Sequence, residues 1–141
     1  MFDQSEFSLS KCKRVRYQSL IDPRGNLGVI EEGAHLPFSP KRFYFITAVP
    51  PEVERGWHAH KRLHQFIFVL AGSVELGLDD GRESAEIHLR DDFEGFYMCP
   101  MIWRVLRNFS PGAVVGVLAS DLFDQSDYIR SYEAFLELAG A

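Results

Sequence analysis

Apolar residues fall in short alternating or continuous runs as far as residue 119, broken by Gly, Pro and Asp. Period two in runs of this length is the signature of strands. The pattern predicts nine: Arg14–Leu20, Leu27–Glu31, Arg42–Ala48, His64–Ala71, Ser73–Leu78, Ala85–Leu89, Phe93–Met98, Ile102–Arg107 and Val114–Ala119. Asp22-Pro23-Arg24-Gly25 and Asp79-Asp80-Gly81 are turn signals, and Ala71-Gly72-Ser73 reads as a tight hairpin. The period changes near the C-terminus. Tyr128, Ile129, Tyr132, Phe135 and Leu136 share one face at helical spacing, which predicts a helix over residues 126–139 with Ser126 as its cap. Many short strands and one terminal helix make an all-β sandwich or barrel. No repeat or linker divides the chain, so residues 1–141 are read as a single domain.

Composition narrows the function classes. The hydrophobic fraction of 46% and charged fraction of 25% belong to a folded protein, and 141 residues can bury a core without staples. Aromatics reach 13%, with 12 Phe, which favours β structure and a lined pocket. A net charge of −5 argues against nucleic-acid binding. The charge is uneven: residues 1–62 carry ten Lys/Arg against seven Asp/Glu, and the remainder five against thirteen. The late arginines therefore sit in acidic surroundings and ask for a specific explanation. Cys12 and Cys99 match no metal or redox spacing, so two free thiols in a reducing cytosol are expected. No apolar run is long enough to span a membrane. Residues 1–17 carry acids early and lack the apolar stretch of a signal peptide. The expected location is cytoplasmic.

The candidate chemistry lies in Gly56-Trp57-His58-Ala59-His60-Lys61-Arg62-Leu63-His64-Gln65. In an extended segment His58 and His60 project to one face. A Gly, an HxH pair, Gln65 after four intervening residues, and then Gly72 resemble the first cupin motif. Cupins are double-sheet β-barrels of the jelly-roll type, and the strand count agrees. In metal-binding cupins two His and a Glu from the first motif join a His from the second. Here Gln65 holds the Glu position, and Gly95–Asn108, where the second motif should lie, contains Arg104 and Arg107 but no His. A neutral amide is a poor ligand for a transition metal, and arginine stays protonated, so no metal is expected. That frees the pair for acid–base work. His64 has the opposite parity from Gln65 and reads as surface; His35 and His88 have no partner and read as structural. In Arg42-Phe43-Tyr44-Phe45-Ile46, the first, third and fifth residues share a face. If Phe43 and Phe45 pack between layers, Arg42 and Tyr44 face the barrel mouth. Trp103 is equally readable as core.

A more specific resemblance runs from about residue 13 to 136. Asp22-Pro23-Arg24-Gly25-Asn26-Leu27, Lys41-Arg42-Phe43-Tyr44, Arg55-Gly56-Trp57-His58-Ala59-His60-Lys61, Gly95-Phe96-Tyr97 with Pro100 and Trp103, Leu118-Ala119-Ser120-Asp121 and Asp127-Tyr128-Ile129-Arg130 stand in one order. The order resembles that of the sugar 3,4-ketoisomerases, the WxcM-like cupins that act on dTDP-4-keto-6-deoxyglucose. The resemblance implies an isomerase without metal or other cofactor that moves the ketone from C4 to C3 through an enediol. Its substrate would be a dTDP-linked 4-keto-6-deoxyhexose, and its product would pass to an aminotransferase that makes a 3-amino sugar. It implies a homodimer in which the N-terminal segment, residues 1–21, is exchanged between subunits. The catalytic candidates are His58, His60 and Tyr44, with His58 at the position usually given the base role. The substrate-binding candidates are Arg24, Arg42, Gln65, Trp103, Arg104, Tyr128 and Arg130. Arg24 and Arg130 match positions that contact the nucleotide part; a planar guanidinium suits a diphosphate. Close relatives carry histidines where this chain has Arg104 and Arg107, which leaves the C4 configuration of the product open.

Three other readings compete. A metal-dependent cupin would bind metal. A nucleotide-sugar 3,5-epimerase would leave the ketone at C4. A non-catalytic nucleotide-sugar-binding cupin would bind without turnover.

Overall fold

The nine runs form ten strands, and two more arise where the sequence pattern showed none. A computed structural model describes residues 7–140. The strands are β1 (Lys13–Arg16), β2 (Gln18–Asp22), β3 (Gly25–Val29), β4 (Arg42–Ile46), β5 (Arg55–His60), β6 (Gln65–Ala71), β7 (Ser73–Asp79), β8 (Ser84–Arg90), β9 (Glu94–Met98), β10 (Trp103–Arg107), β11 (Val114–Ala119) and β12 (Tyr128–Ile129). One helix, α1 (Tyr132–Ala139), follows. Two five-stranded sheets have the orders β1-β9-β6-β11-β4 and β12-β5-β10-β7-β8, and β2 and β3 form a separate hairpin. The named strands pair antiparallel throughout. This is the double-sheet, cupin-like all-β architecture that the sequence predicts.

Residues such as Phe66, Val69, Leu76, Leu89, Met98, Ile102 and Val115 are buried in the principal core. A second cluster, Ala59, Met101, Trp103, Ile129, Phe135 and Ala139, gathers around α1.

Several expectations are corrected. The first predicted strand breaks at Tyr17, a buried residue in edge-to-face contact with Phe66, Phe68 and Phe93. Before the break β1 pairs with β9; after it the chain leaves as the hairpin. Residues 1–6 of the N-terminal segment lie outside the described residues. Gly72 does not close a hairpin: β6 and β7 belong to different sheets, so it turns a corner between them. Its φ of +79° strains any other residue, and a Cβ at this position would collide with the Ser110 hydroxyl, so a side chain is excluded. The turns at Asp22–Gly25 and Asp79–Gly81 do close β2–β3 and β7–β8.

The helix begins later than its periodicity predicts. Ser131, not Ser126, caps α1, accepting from the Ala134 N–H at 3.3 Å. Ser126 instead donates to Asp124, which caps a short 3-10 turn at Gln125–Asp127. Tyr128 and Ile129 then pair with His60 and Ala59 of β5. Phe43 and Phe45 do not pack between layers; they are 51% and 62% exposed on the outside, and Arg42, Tyr44 and Ile46 face inward. Cys12 and Cys99 are free thiols whose sulfurs stand 3.7 Å apart. Among the described residues no helix is long and apolar enough to cross a membrane.

Candidate active site

β5 carries the histidine pair yet lacks strand-like apolar alternation, because its inward positions are polar. Its entry is unusual. Gly56 and Trp57 have φ of +108° and +44°, and the register with β10 slips between Arg104 and Val105. A Cβ on Gly56 would meet the Arg104 carbonyl at 3.1 Å, so glycine permits this close approach. The Gly56 carbonyl in turn accepts from His58 Nδ1 at 2.7 Å. A carbonyl only accepts, so Nδ1 bears the proton and Nε2 keeps the lone pair.

His58 and His60 come together as predicted, with ring centroids 4.9 Å apart and the rings edge-on. Tyr128 packs over both, 5.0 Å from His58 and 4.4 Å from His60. They line different spaces. His58 lines a cavity of about 230 Å³ within the barrel, together with Tyr44, Gln65, Arg104, Arg42, Arg55 and Tyr128. His60 lines a cavity of about 330 Å³ under residues 121–124, and Arg42 and Tyr128 line both.

Behind His58 runs a directed chain of hydrogen bonds. Arg104 is 2% exposed. Its Nε donates to the Ile102 carbonyl at 3.1 Å, and its Nη1 donates to Gln65 Oε1. The Gln65 amide must then turn its nitrogen to Tyr44, donating to the hydroxyl at 2.8 Å. That leaves the Tyr44 O–H free to donate into the cavity. A carboxylate at position 65 could serve Arg104 but could not donate to Tyr44, which gives the amide its physical reason. Arg104 Nη2 is buried and without a hydrogen-bond partner, a donor kept for an anionic or carbonyl oxygen.

Burial leads the electrostatics and the buried cation comes second. Burial first, and Arg104 second, lower His58 to about 4 and His60 to about 2. Both rings are therefore neutral near pH 7 and able to accept a proton. Burial raises Tyr44, keeping the phenol a donor. Burial lowers Arg104 to about 10, still protonated at pH 7. The sign of the pH dependence follows: protonation removes the lone pair of His58, so rate is lost as pH falls through its pKa. We expect kcat/KM to stay level down to about pH 5 and to fall towards pH 4, with no acid limb near the ordinary histidine value of about 6.5. A limb at 6.5 in the measured profile would show that His58 is not held low.

The donor set does not suit a metal. Gln65, a neutral amide, is committed on both ends, and the Arg104 guanidinium, a fixed cation, shares the cavity with His58.

The other predicted residues divide. Arg42 reaches the site; it lies over the rings of Tyr44 and Phe123 and donates to the Asp121 carbonyl. Arg130 sits over the Tyr128 ring at 4.3 Å. Trp103 points away: Arg104 faces the cavity, whereas its neighbour Trp103 packs on Tyr132 and Phe135 of α1. Arg107 is likewise outside, ion-paired with Glu75 and Glu86, so Arg104 alone of the late pair enters the site. Arg24 is at the hairpin tip, 90% exposed and paired with Asp22. His64 is not a plain surface residue; its Nδ1 bonds the Tyr97 hydroxyl at 2.7 Å. His35 is structural, accepting the Glu31 N–H.

Two further residues reach the site that the sequence did not mark. Arg55 lines the barrel cavity. Asp127 holds His60 Nδ1 at 3.2 Å. Their signals were the Arg before the Gly-Trp-His stretch and the Asp before Tyr128-Ile129-Arg130, but only folding brings Asp127 to a residue 67 positions away.

Comparisons with known proteins give the family and the fold. Residues 10–140 match the family described as WxcM-like, C-terminal (FdtA). The chain is 44% identical over 123 residues to the TDP-4-oxo-6-deoxy-alpha-D-glucose-3,4-oxoisomerase of Aneurinibacillus thermoaerophilus, covering 87% of this chain and 88% of that one. Among solved structures, a mutant of the 3,4-ketoisomerase QdtA from Thermoanaerobacterium thermosaccharolyticum in complex with TDP-4-keto-6-deoxyglucose superposes with a TM-score of 0.90. Its sequence is 37% identical, with 94% of this chain and 96% of that chain covered. The WlaRB TDP-quinovose 3,4-ketoisomerase of Campylobacter jejuni gives a TM-score of 0.85 at 40% identity, covering 89% and 97%.

Proposed function

The chain belongs to the WxcM-like, C-terminal (FdtA) family, and from that premise we infer that it is a TDP-4-keto-6-deoxyglucose 3,4-ketoisomerase that works without a metal. The observation that carries the chemistry is a neutral His58 in one cavity with a free phenol O–H and an unpaired guanidinium N–H.

The C3–H bond is acidified by the C4 ketone. His58 Nε2 takes that proton, the electron pair forms the C3–C4 double bond, and negative charge develops on O4. Tyr44 and Arg104 donate to that oxygen, the electrostatic stabilisation that enolising sites need. Collapse from O3 gives the C3 ketone, C4 receives a proton, and the O3 hydroxyl proton is made up on O4. His60 is the second neutral base for these transfers. The molecule's overall oxidation state is unchanged, so the residues present suffice. Arg130, Arg42 and Arg55 supply positive charge for the diphosphate.

The decisive experiment incubates the protein with TDP-4-keto-6-deoxyglucose in deuterated water with a chelator and follows the NMR spectrum. The ketone should move to C3. Exchange at C5 with the ketone left at C4 would make it an epimerase, and binding without turnover would make it a binding protein. Activity lost to the chelator and restored by one metal would overturn metal independence.

We also propose a homodimer. Leu20 and Leu27 are paired across the β2–β3 hairpin and each 54% exposed, and Ile21 on its other face is 68% exposed. An arm apolar on both faces needs cover, and a second copy supplies it by exchange. The exchange also gives Arg24, at the arm's tip, a site to reach. Light scattering should find a dimer at micromolar concentration, and the Leu20→Glu/Leu27→Glu variant should be monomeric. A wild-type monomer would refute the exchange.

A further inference from the structure

We propose that Asp127 is a positioning residue: its carboxylate holds the ring proton of His60 on Nδ1 and so keeps Nε2 as the proton-accepting nitrogen. The effect on rate rests on the ketoisomerase reading above; the tautomer does not.

The two carboxylate oxygens have separate tasks. Oδ2 lies 3.2 Å from His60 Nδ1, and Oδ1 accepts the Arg62 backbone N–H at 2.8 Å. The Asp127 main chain is held on both sides, its N–H donating to the Asp124 carbonyl and its carbonyl accepting from Lys61. Both side chains of the pair are buried, at 8% and 2% exposure, and Tyr128 covers the imidazole. Burial and Arg104 already keep His60 uncharged. The contact with the Asp127 carboxylate, which can only accept, fixes which nitrogen of the ring bears the hydrogen. A neutral imidazole with the hydrogen on the wrong nitrogen offers a donor where the reaction needs an acceptor.

Asp127→Asn isolates this role. The Arg62 N–H demands an oxygen, so the new amide must keep its oxygen there and turn its NH₂ towards His60. Two donors cannot face each other, and the ring hydrogen moves to Nε2. The substitution is isosteric and keeps the bond to the Arg62 backbone N–H; it gives up the 3.6 Å ion pair between Oδ1 and the exposed Arg62 guanidinium, a contact of the kind that contributes little.

Ring nitrogen–proton correlation spectra of the full chain, labelled with ¹⁵N histidine, read the tautomer directly. Wild-type His60 should carry its hydrogen on Nδ1, and in Asp127→Asn on Nε2. Turnover should fall by about 10²- to 10⁴-fold. The dissociation constant for TDP should change by less than about twofold, because no diphosphate contact is removed. A wild-type His60 with its hydrogen on Nε2 overturns the proposal, and that spectrum needs no variant to fold. So does an Asp127→Asn protein that loses turnover with an unaltered tautomer, or switches tautomer at full rate. A wild-type protein inactive on the 4-keto sugar would instead sink the ketoisomerase reading, with the spectra still judging the tautomer.

Discussion

His58→Asn should lower turnover by about 10²-fold or more, the scale of a lost general base. Asparagine is close in shape, and its amide can still donate to the Gly56 carbonyl that now accepts from the imidazole at 2.7 Å. What it lacks is a basic nitrogen. The loss should fall on kcat, with TDP affinity almost unchanged, since a neutral imidazole supplies no charge for the diphosphate, and Arg42 and Arg55, which line the same cavity, are left in place. The isotope pattern separates the two histidines. His58→Asn should stop deuterium from entering C3 of the substrate. His60→Asn, in which the C3 base remains, should still wash deuterium into C3 while making little product. Near-wild-type rates in both single variants would make the pair structural and remove the chemical support for the mechanism.

The second large effect concerns a residue outside the site. Phe135→Ala should destabilise the fold by about 3–5 kcal/mol, the usual cost of deleting a fully buried phenyl ring. Phe135 is 0% exposed and packs with Ala59, Met101, Trp103 and Ile129. Those contacts pin α1 and β12 to β5, and β12 sets Tyr128 opposite His60. Net stabilities of single domains are about 5–15 kcal/mol, so the variant should sit near the edge of folding at growth temperature. The midpoint of urea unfolding measures it. A change below about 1 kcal/mol would mean that the cluster relaxes around the void and that the helix is held by other contacts. In folded variant protein, loosened β12 pairing should lower kcat as well, through the same Tyr128 and His60.

Local chemistry was readable wherever neighbours in sequence are neighbours in space. The continuous apolar runs of β6 and β11, the alternation of β7, the turns at Asp22–Gly25 and Asp79–Gly81, and the shared face of His58 and His60 follow from run length, a period of two and turn geometry, so the sequence determined them by itself. The identity of Gln65 and Arg104 also bore directly on the donor set, because ligand chemistry belongs to the side chain. Tertiary structure decided the rest. β5 is a strand because β10 and β12 flank it and its polar positions face a cavity, an inversion that no apolar pattern reports. Tyr128 and Ile129 have helical spacing with Tyr132, yet pairing with β5 wins, since an edge of backbone groups outweighs a turn's worth of propensity. Phe43 and Phe45 face outward because the inward side of β4 is committed to Arg42 and Tyr44. Trp103 and Arg104 are adjacent in sequence but on opposite faces of β10, so one joins the helix's core and the other the site. Asp127 meets His60 only when the loop after β11 returns to β5. Sequence separation hides such a pair, because a hydrogen bond depends on distance through space, and only the closed barrel sets that distance.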